Sequence, residues 1–514
     1  MNDGIMSFGP GGLTVIAVYL LSLIVIGWLG RRARRSETLR EFYLAGGTMG
    51  FFVLVLTLYA TQYSGNTLFG FTGKSYRIGY SWVMSVHFMT AIIVCYLLFA
   101  PQLQRQSKRF GFITPTDYLT HRFASPAIST IATLVMVVAL SNYLLAQLMA
   151  MGRALEGLTR LPPETAYFYG VIVLALIMVI YETLGGLRAV AWTDVIQGVL
   201  LLAGFAVLVV MLFDRYGSLA TTTESLLAAE STRSKVMPPG LPRCGEWLSY
   251  LLLVGLGGAL YPQAIQRIYA ARSGRGLRLS LAVMAFLPLT TALIAVLVGI
   301  TALAHHPGLA GPESDRALTL VLNEIQHGSI LGYWLVVILF AAILAAVMST
   351  ADSALLSISS IVTKDLYAGC VDRTATEARL TQLGKIVSWV LLGSLVVLAL
   401  ALREKATLIR LLDRKFDLLV QLAPAFILGT NWSRLRPGPV LAGLVSGLIV
   451  ALTLAYVISA KPFGFDLGLH VTLVGGKPYG FHPGLYGLAL NLAIAVIGSL
   501  LCRPPAAATP GARG

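Results

Sequence analysis

AAVMSTADSALLS, residues Ala345–Ser357, decides how this chain is read. The stretch lies in an apolar run that otherwise reads as a membrane-buried helix, yet it carries four hydroxyls and a carboxylate within nine residues. An ionisable group at the centre of a transmembrane helix costs about 2.5–3.5 kcal/mol on insertion scales, so it needs a partner or a task. On a helix, Ser349, Asp352 and Ser353 stand at i, i+3 and i+4, and Ala346, Ser349 and Thr350 form a second, overlapping set. One face therefore presents oxygens, while Leu355 and Leu356 point away. Serine and threonine also bond back to the carbonyl four residues earlier, but five oxygen-bearing side chains with an acid among them exceed that habit. A small hard cation suits such a face, because oxygens replace its water shell, and sodium takes about five or six of them. Ser349 and Thr350 would supply two, and no Cys/His cluster competes for a transition metal.

The rest of the chain has the composition such a helix requires. Of 514 residues, 56% are hydrophobic and 12% charged, and the mean hydropathy is +0.78. Soluble domains average about 25% charged residues, so the fold class is an all-α polytopic membrane protein. Windows of about 18–25 apolar residues predict about thirteen transmembrane helices: 13–30, 50–70, 82–100, 126–150, 165–182, 190–213, 247–265, 279–304, 330–361, 383–402, 416–431, 438–460 and 485–502. The ninth is longer than a bilayer needs and either tilts or begins beyond the membrane face. Residues 1–502 read as one integral membrane domain, and CRPPAAATPGARG leaves 503–514 as a disordered tail. The first apolar run passes directly into RRARRSETLR, a stop-transfer pattern and not a cleavage site.

The net charge of +15 reports topology in such a chain, not nucleic-acid binding. RRARR (31–35), Arg105/Lys108/Arg109/Arg122, Arg267/Arg272/Arg275/Arg278 and Lys364/Arg373/Arg379 follow spans 1, 3, 7 and 9 and fall on one side. That sets the N-terminus outside and the C-terminus in the cytoplasm of a plasma (inner) membrane. LREKATLIRLLDRK (402–415) is the misfit, being basic on the outer side. Segments 214–245 and 305–328 read as outer loops, the second with an amphipathic surface helix in RALTLVLNEIQH, and 464–484 lies between the last two spans. Cys95, Cys244, Cys370 and Cys502 show no pairing signal, and His305–His306 sits in a polar loop.

Two spans are interrupted. Span 2 contains YATQYSGNTLFGFTG, with Gly65, Gly70 and Gly73 among Gln62, Ser64, Asn66 and Thr67; span 7 contains LLLVGLGGALYPQ, with Gly255, Gly257, Gly258 and Pro262. Glycine relaxes the backbone and proline removes a donor, so both are places where a helix unwinds. Unwound backbone is tolerated in lipid only where it lines a cavity. The two breaks are equivalent members of five-helix halves, spans 2–6 and 7–11, and an odd repeat length inverts the second half. Paired broken helices in an inverted repeat point to a secondary-transporter binding site; close helix packing is the plainer alternative.

With these residues in hand, the sequence resembles the sodium/solute symporter family, whose members carry proline, pantothenate, sugars or sialic acid. The resemblance covers roughly residues 10–460 and rests on AAVMSTADSALLS with the following TKDLY, GGLRAVAWTDVIQG (185–198), LLAQLMAMGRALE (144–156) and PQAIQRIYAA (262–271), in family order. It implies a LeuT-type inverted-repeat fold and a sodium site formed by the Ser349 and Thr350 hydroxyls with the Ala346, Ala60 and Tyr63 carbonyls. Some members hold a second sodium at positions matching Asp194 and Ser353, with Asp352 beside them; a helix N-cap is the plainer reading of Asp194. Proline-type members carry an aspartate at Gln62 and a tryptophan at Asn66. The lysine of sugar members falls at Pro288, and their Tyr–Trp gate pair at Gly257 and Gly258. Neither proline nor a hexose is favoured. Gln62, Ser64, Asn66 and Thr67 are the candidate solute contacts, with Gln147 and Arg153 behind them; Arg153 equally suits snorkelling.

The expected function is sodium-coupled import of a small polar organic solute, carboxylate, amino-acid-like or vitamin-like, by alternating access. The partners are then solute, sodium and lipid, with no cofactor, nucleic acid or obligate protein partner. A proton-coupled or ion-independent porter of the same fold is the near alternative, and the membrane input module of a signalling system a more distant one. FTGKS (71–75) imitates the end of a P-loop, but position 68 is Leu where glycine is required. Neither HExxH nor GxSxG occurs, so no enzyme is expected.

Overall fold

The computed structural model describes residues 8–156, 161–403, 408–458, 473–474 and 477–502. The tail at 503–514, the Asn66 side chain and most of 464–484 lie outside the described residues.

The oxygen-bearing helix is the axis of the bundle. It is α12 (Ile330–Ile361), capped by the Ser329 hydroxyl, which accepts from Gly332 N at 2.9 Å. Every residue from 339 to 361 is buried. A helix apolar nearly all round can lie only at the centre of a bundle, so Leu355 and Leu356 are buried as well and do not meet lipid. Around α12 pack α5 (Pro126–Glu156) and α6 (Pro163–Tyr216), and α1 (Pro10–Arg32) covers α6 from outside. The outer face of α1 exposes Val18, Leu21, Val25 and Trp28, as a lipid-facing helix would.

Among the described residues, nine helices are long and apolar enough to cross a membrane, or ten when one bent pair counts as a single span. The expected count of about thirteen separates runs that are continuous here. α6 has 54 residues, which as a straight helix would reach about 80 Å, far beyond the roughly 30 Å hydrocarbon core. It is broken at Gly186, where φ is 60° and ψ −153°. The run Thr67–Phe110 likewise changes course at Gly79 (φ 68°, ψ −147°), which separates α3 (Phe71–Ile78) from α4 (Met84–Phe110).

Both expected breaks are present. The first runs from the end of α2 (Phe51–Gln62) to the tight turns at Asn66. The second separates α7 (Leu241–Gly258) from α8 (Pro262–Ala270), the bent pair, at an angle of 50°. Span 8 is also interrupted, by a 3-10 turn around Pro288 between α9 (Gly274–Met284) and α10 (Ala292–His305). The amphipathic segment before α12 forms α11 (Ala317–Gly328) and buries Leu318, Val321, Leu322 and Ile325.

Two expectations change. The segment 214–245, read as a loop, contains short helices at Leu219–Ala228 and Glu230–Val236, started by a Ser218 cap and Glu230. Span 11 starts well before 416: after α13 (Glu377–Ala401), α14 (Leu408–Leu419) already turns Arg414 and Lys415 into the helix, and tight turns continue to Asn431. These charges therefore do not report loop topology. α15 (Pro437–Ile458) and α16 (Pro483–Leu501) pair with each other at the end of the chain, beside a two-residue ladder of Leu473–Val474 with Lys477–Pro478.

Gly186 adopts a backbone conformation open essentially to glycine alone, and an added Cβ would stand 2.5 Å from the Phe42 carbonyl oxygen. Gly186→Ala should cost about 1–3 kcal/mol, read as a lower thermal unfolding midpoint in detergent; an unchanged midpoint would contradict this fold.

Candidate functional site

The break after α2 is held open by side chains. In a continuous helix the amides of Ser64, Gly65 and Thr67 would donate to the carbonyls of Ala60, Thr61 and Tyr63. Instead Ser64 N donates to Thr67 Oγ1 at 3.3 Å, Gly65 N to Gln147 Oε1 at 3.1 Å, and Thr67 N to the Ser64 carbonyl at 2.9 Å. The donors are satisfied and the acceptors are freed. Buried backbone groups must find partners, so Thr67 and Gln147 are what allow the unwound segment to exist inside the bundle.

The Ala60 carbonyl meets α12. Thr350 Oγ1 lies 3.2 Å from the Ala60 carbonyl oxygen and 3.0 Å from that of Ala346. The Ser349 hydroxyl is fully buried, with no partner in good hydrogen-bond geometry and the Asp194 carboxylate as its neighbour. Gly65 brings the segment this close: a Cβ there would meet Val347 Cγ2 at 2.6 Å and Ala150 Cβ at 2.8 Å. Three of the expected sodium ligands, Ala60, Ala346 and Thr350, thus come together at one junction; the Ser349 side chain, one residue earlier on α12, lies by Asp194, and Tyr63 ends α2 at the same break with φ −101° and ψ 104°.

Asp194, Asp352 and Ser353 also converge, but around a residue that sequence reasoning placed elsewhere. Arg267, counted above among inner-loop charges, is 1% exposed on α8. Its Nη2 donates to Asp194 Oδ2 at 2.9 Å and to Ser353 Oγ at 2.6 Å, and its Nε donates to Thr57 Oγ1 at 2.7 Å. Thr57 in turn donates to Asp194. Asp352 accepts from the Tyr181 hydroxyl at 2.6 Å and from Ser353 at 3.2 Å. A guanidinium therefore stands where a second cation was expected. Asp194 lies inside the long helix α6, so it is not an N-cap. The available signal was an acid inside one span and an arginine inside another, each of which needs a countercharge.

Beside the break lies a cavity of about 10 Å³, room for roughly one water. Gln62, Ser64 and Thr67 line it from the broken helix, with Tyr143 of α5, Tyr261 between α7 and α8, and Lys415 of α14 opposite. Gln62 Nε2 donates to the Tyr96 hydroxyl at 2.7 Å, and Tyr96 donates to the Gly258 carbonyl at 3.3 Å, so one tyrosine links the two helix breaks. Gln147 buttresses the backbone and does not line the cavity; the Asn66 side chain is outside the described residues. Arg153 lies apart, donating to the Arg403 carbonyl at 3.2 Å. The sequence reading missed Tyr143, Tyr261 and Lys415.

Comparison with known proteins fits this architecture. Residues 42–447 match the Sodium:solute symporter family. The sodium/proline symporter of Escherichia coli (strain K12) is 28% identical over 482 residues, covering 91% of this chain and 91% of its own. The osmoregulated proline transporter OpuE of Bacillus subtilis (strain 168) is 25% identical over 501 residues, covering 96% and 95%. Among solved structures, a sodium-coupled sialic acid symporter in a substrate-bound outward-open state superposes with a TM-score of 0.76 at 19% identity, over 97% of this chain and 99% of that one. The likeness to that structure is one of fold.

Asp194→Asn removes the charge that balances a buried guanidinium and should destabilise the protein by about 3 kcal/mol, with Asp194→Asn/Arg267→Met recovering part of the loss. Thermal unfolding of both variants in detergent measures this; a double variant no more stable than the single one would contradict a direct pair.

Proposed function

The chain belongs to the sodium:solute symporter family, and from that premise we propose that it imports a small polar organic solute with sodium by alternating access. One observation carries the reading: the Ala60 carbonyl, at the end of the broken helix, meets the Thr350 hydroxyl of α12 in a fully buried junction. Sodium would be held by the Ala60, Tyr63 and Ala346 carbonyls and the Ser349 and Thr350 hydroxyls. The Ser349 oxygen, which has no partner in good hydrogen-bond geometry, would gain one from an ion, and a buried polar atom poorly partnered is costly. Sodium would tie α12 to the break and so fix Gln62, Ser64, Asn66 and Thr67 around the solute, with Gln147 bracing the backbone.

The second set, Asp194, Asp352 and Ser353, would admit a sodium only if Arg267 withdrew. In the described conformation the guanidinium takes that role, which favours one coupling ion. The whole of residues 1–502 would act as one membrane domain, with the N-terminus outside and the C-terminus in the cytoplasm. A tenfold sodium gradient supplies about 1.4 kcal/mol, and 100 mV adds about 2.3 kcal/mol per charge moved. One sodium would therefore concentrate a neutral or zwitterionic solute about 500-fold, but a monoanion only about tenfold, because no net charge then moves.

Sodium itself is the probe. Sodium chloride should raise the unfolding midpoint of the purified protein where potassium chloride does not. Ser349→Ala and Thr350→Ala should each weaken that effect by about tenfold in sodium concentration, with little change in potassium. If the double variant kept full sodium stabilisation and sodium-stimulated uptake in liposomes, a proton-coupled or ion-independent porter would be the better reading.

A further inference from the structure

Among the described residues, the one cation in the cavity wall is Lys415. It is fully buried, and its Nζ has no hydrogen-bond partner. The ammonium lies 3.1 Å from the centroid of the Tyr143 ring, 4.7 Å from that of Tyr261 and 4.9 Å from that of Phe416. Tyr143 and Tyr261 are stacked on each other, with centroids 5.2 Å apart and planes 3° from parallel. Aromatic faces attract a cation, but they do not replace the hydrogen bonds that an ammonium has in water.

Neither nearby acid on the same helix accepts a hydrogen bond from Lys415, although the Asp413 charge reaches it. Asp413 lies 3.4 Å from the Tyr250 hydroxyl and 3.7 Å from His482 Nε2. Asp417 pairs with Arg414 at 3.2 Å and accepts from Gly484 N at 2.7 Å. Lys415 instead points into the cavity lined by Gln62, Ser64 and Thr67. Among the described residues, that lining contains no carboxylate.

We propose that Lys415 is a specificity-determining residue of the solute site, and that the solute is a monocarboxylate with a compact apolar body and no ammonium group. This rests on the reading of the cavity as the solute site. The carboxylate supplies the charge and acceptors that the ammonium lacks, a charge-assisted pair stronger than a neutral hydrogen bond. The aromatic walls of Tyr143, Tyr261 and Phe416 receive the apolar body. A zwitterion fits poorly, because its ammonium would approach Lys415 and find no anion in the lining. The cavity must widen to admit the solute, and drawing the ammonium off the Tyr143 face is one motion that makes room.

The test uses matched acids and amides: butyrate and butyramide, benzoate and benzamide, phenylacetate and phenylacetamide, with proline and glycine betaine as zwitterions. Binding to the purified full-length protein in sodium is read by thermal shift. At least one acid should bind at least about tenfold more tightly than its amide and than either zwitterion. Lys415→Met should bring the acid-to-amide ratio close to one, while Lys415→Arg keeps the preference. Sodium stabilisation without solute serves as the control for folding of both variants. The proposal is overturned if no acid outcompetes its amide, if a zwitterion binds more tightly than every acid, or if Lys415→Met keeps the acid preference. Loss of sodium stabilisation in the wild type would instead count against sodium coupling, leaving the acid-to-amide ratio to judge Lys415 by itself.

Discussion

A polypeptide inside a membrane must satisfy its own backbone, and the rest of this structure depends on how that rule is met between Gln62 and Thr67. The amides of the broken segment are absorbed by the side chains of Thr67 and Gln147, not by carbonyls one turn back. The segment is therefore asymmetric: its amides are taken up locally and by Gln147, while the Ala60 carbonyl is released to meet Thr350. Free carbonyls in an apolar interior attract a cation, and α12 brings hydroxyls to meet them. Gly65 is essential to the arrangement because no side chain fits between the break and Val347. The unwound stretch is a built feature, supported from a neighbouring helix.

Charge inside the bundle follows one principle with two outcomes. Beside the junction Arg267 is enclosed by Asp194, Thr57 and Ser353, and nothing further is needed. In the cavity wall Lys415 rests on aromatic rings with its hydrogen-bonding capacity unused. A buried ion pair is indifferent to what passes; a buried lone cation selects it. The same contrast separates this chain from the proline-type pattern, in which an acid stands at the position of Gln62.

Much of this was legible in the sequence because it is written in local periodicity. The hydroxyl stripe of α12 follows from spacing alone, and so do the two interrupted helices, since glycine and proline act on their own backbone. What the sequence hid was pairing at a distance. Arg267 and Lys415 read as loop charges because each adjoins genuinely basic segments, and only the packing of α8 against α2 and α12, and of α14 against α5, turns them inward. The partners lie 73 residues apart for Arg267 and Asp194, a separation that no periodicity encodes. The helices between 219 and 236 were missed for a different reason: their polar composition suits a loop, and their caps are weak signals.

The central claim is that an alkali ion is caged where the broken helix meets α12. It is tested most directly by locating a thallium ion, as a heavy substitute for sodium, by its anomalous scattering in crystals of the protein. The predicted result is a peak within coordination distance of the Ala60, Tyr63 and Ala346 carbonyls and the Ser349 and Thr350 hydroxyls. A peak elsewhere in the bundle, or none at that junction while thallium supports transport, would contradict it.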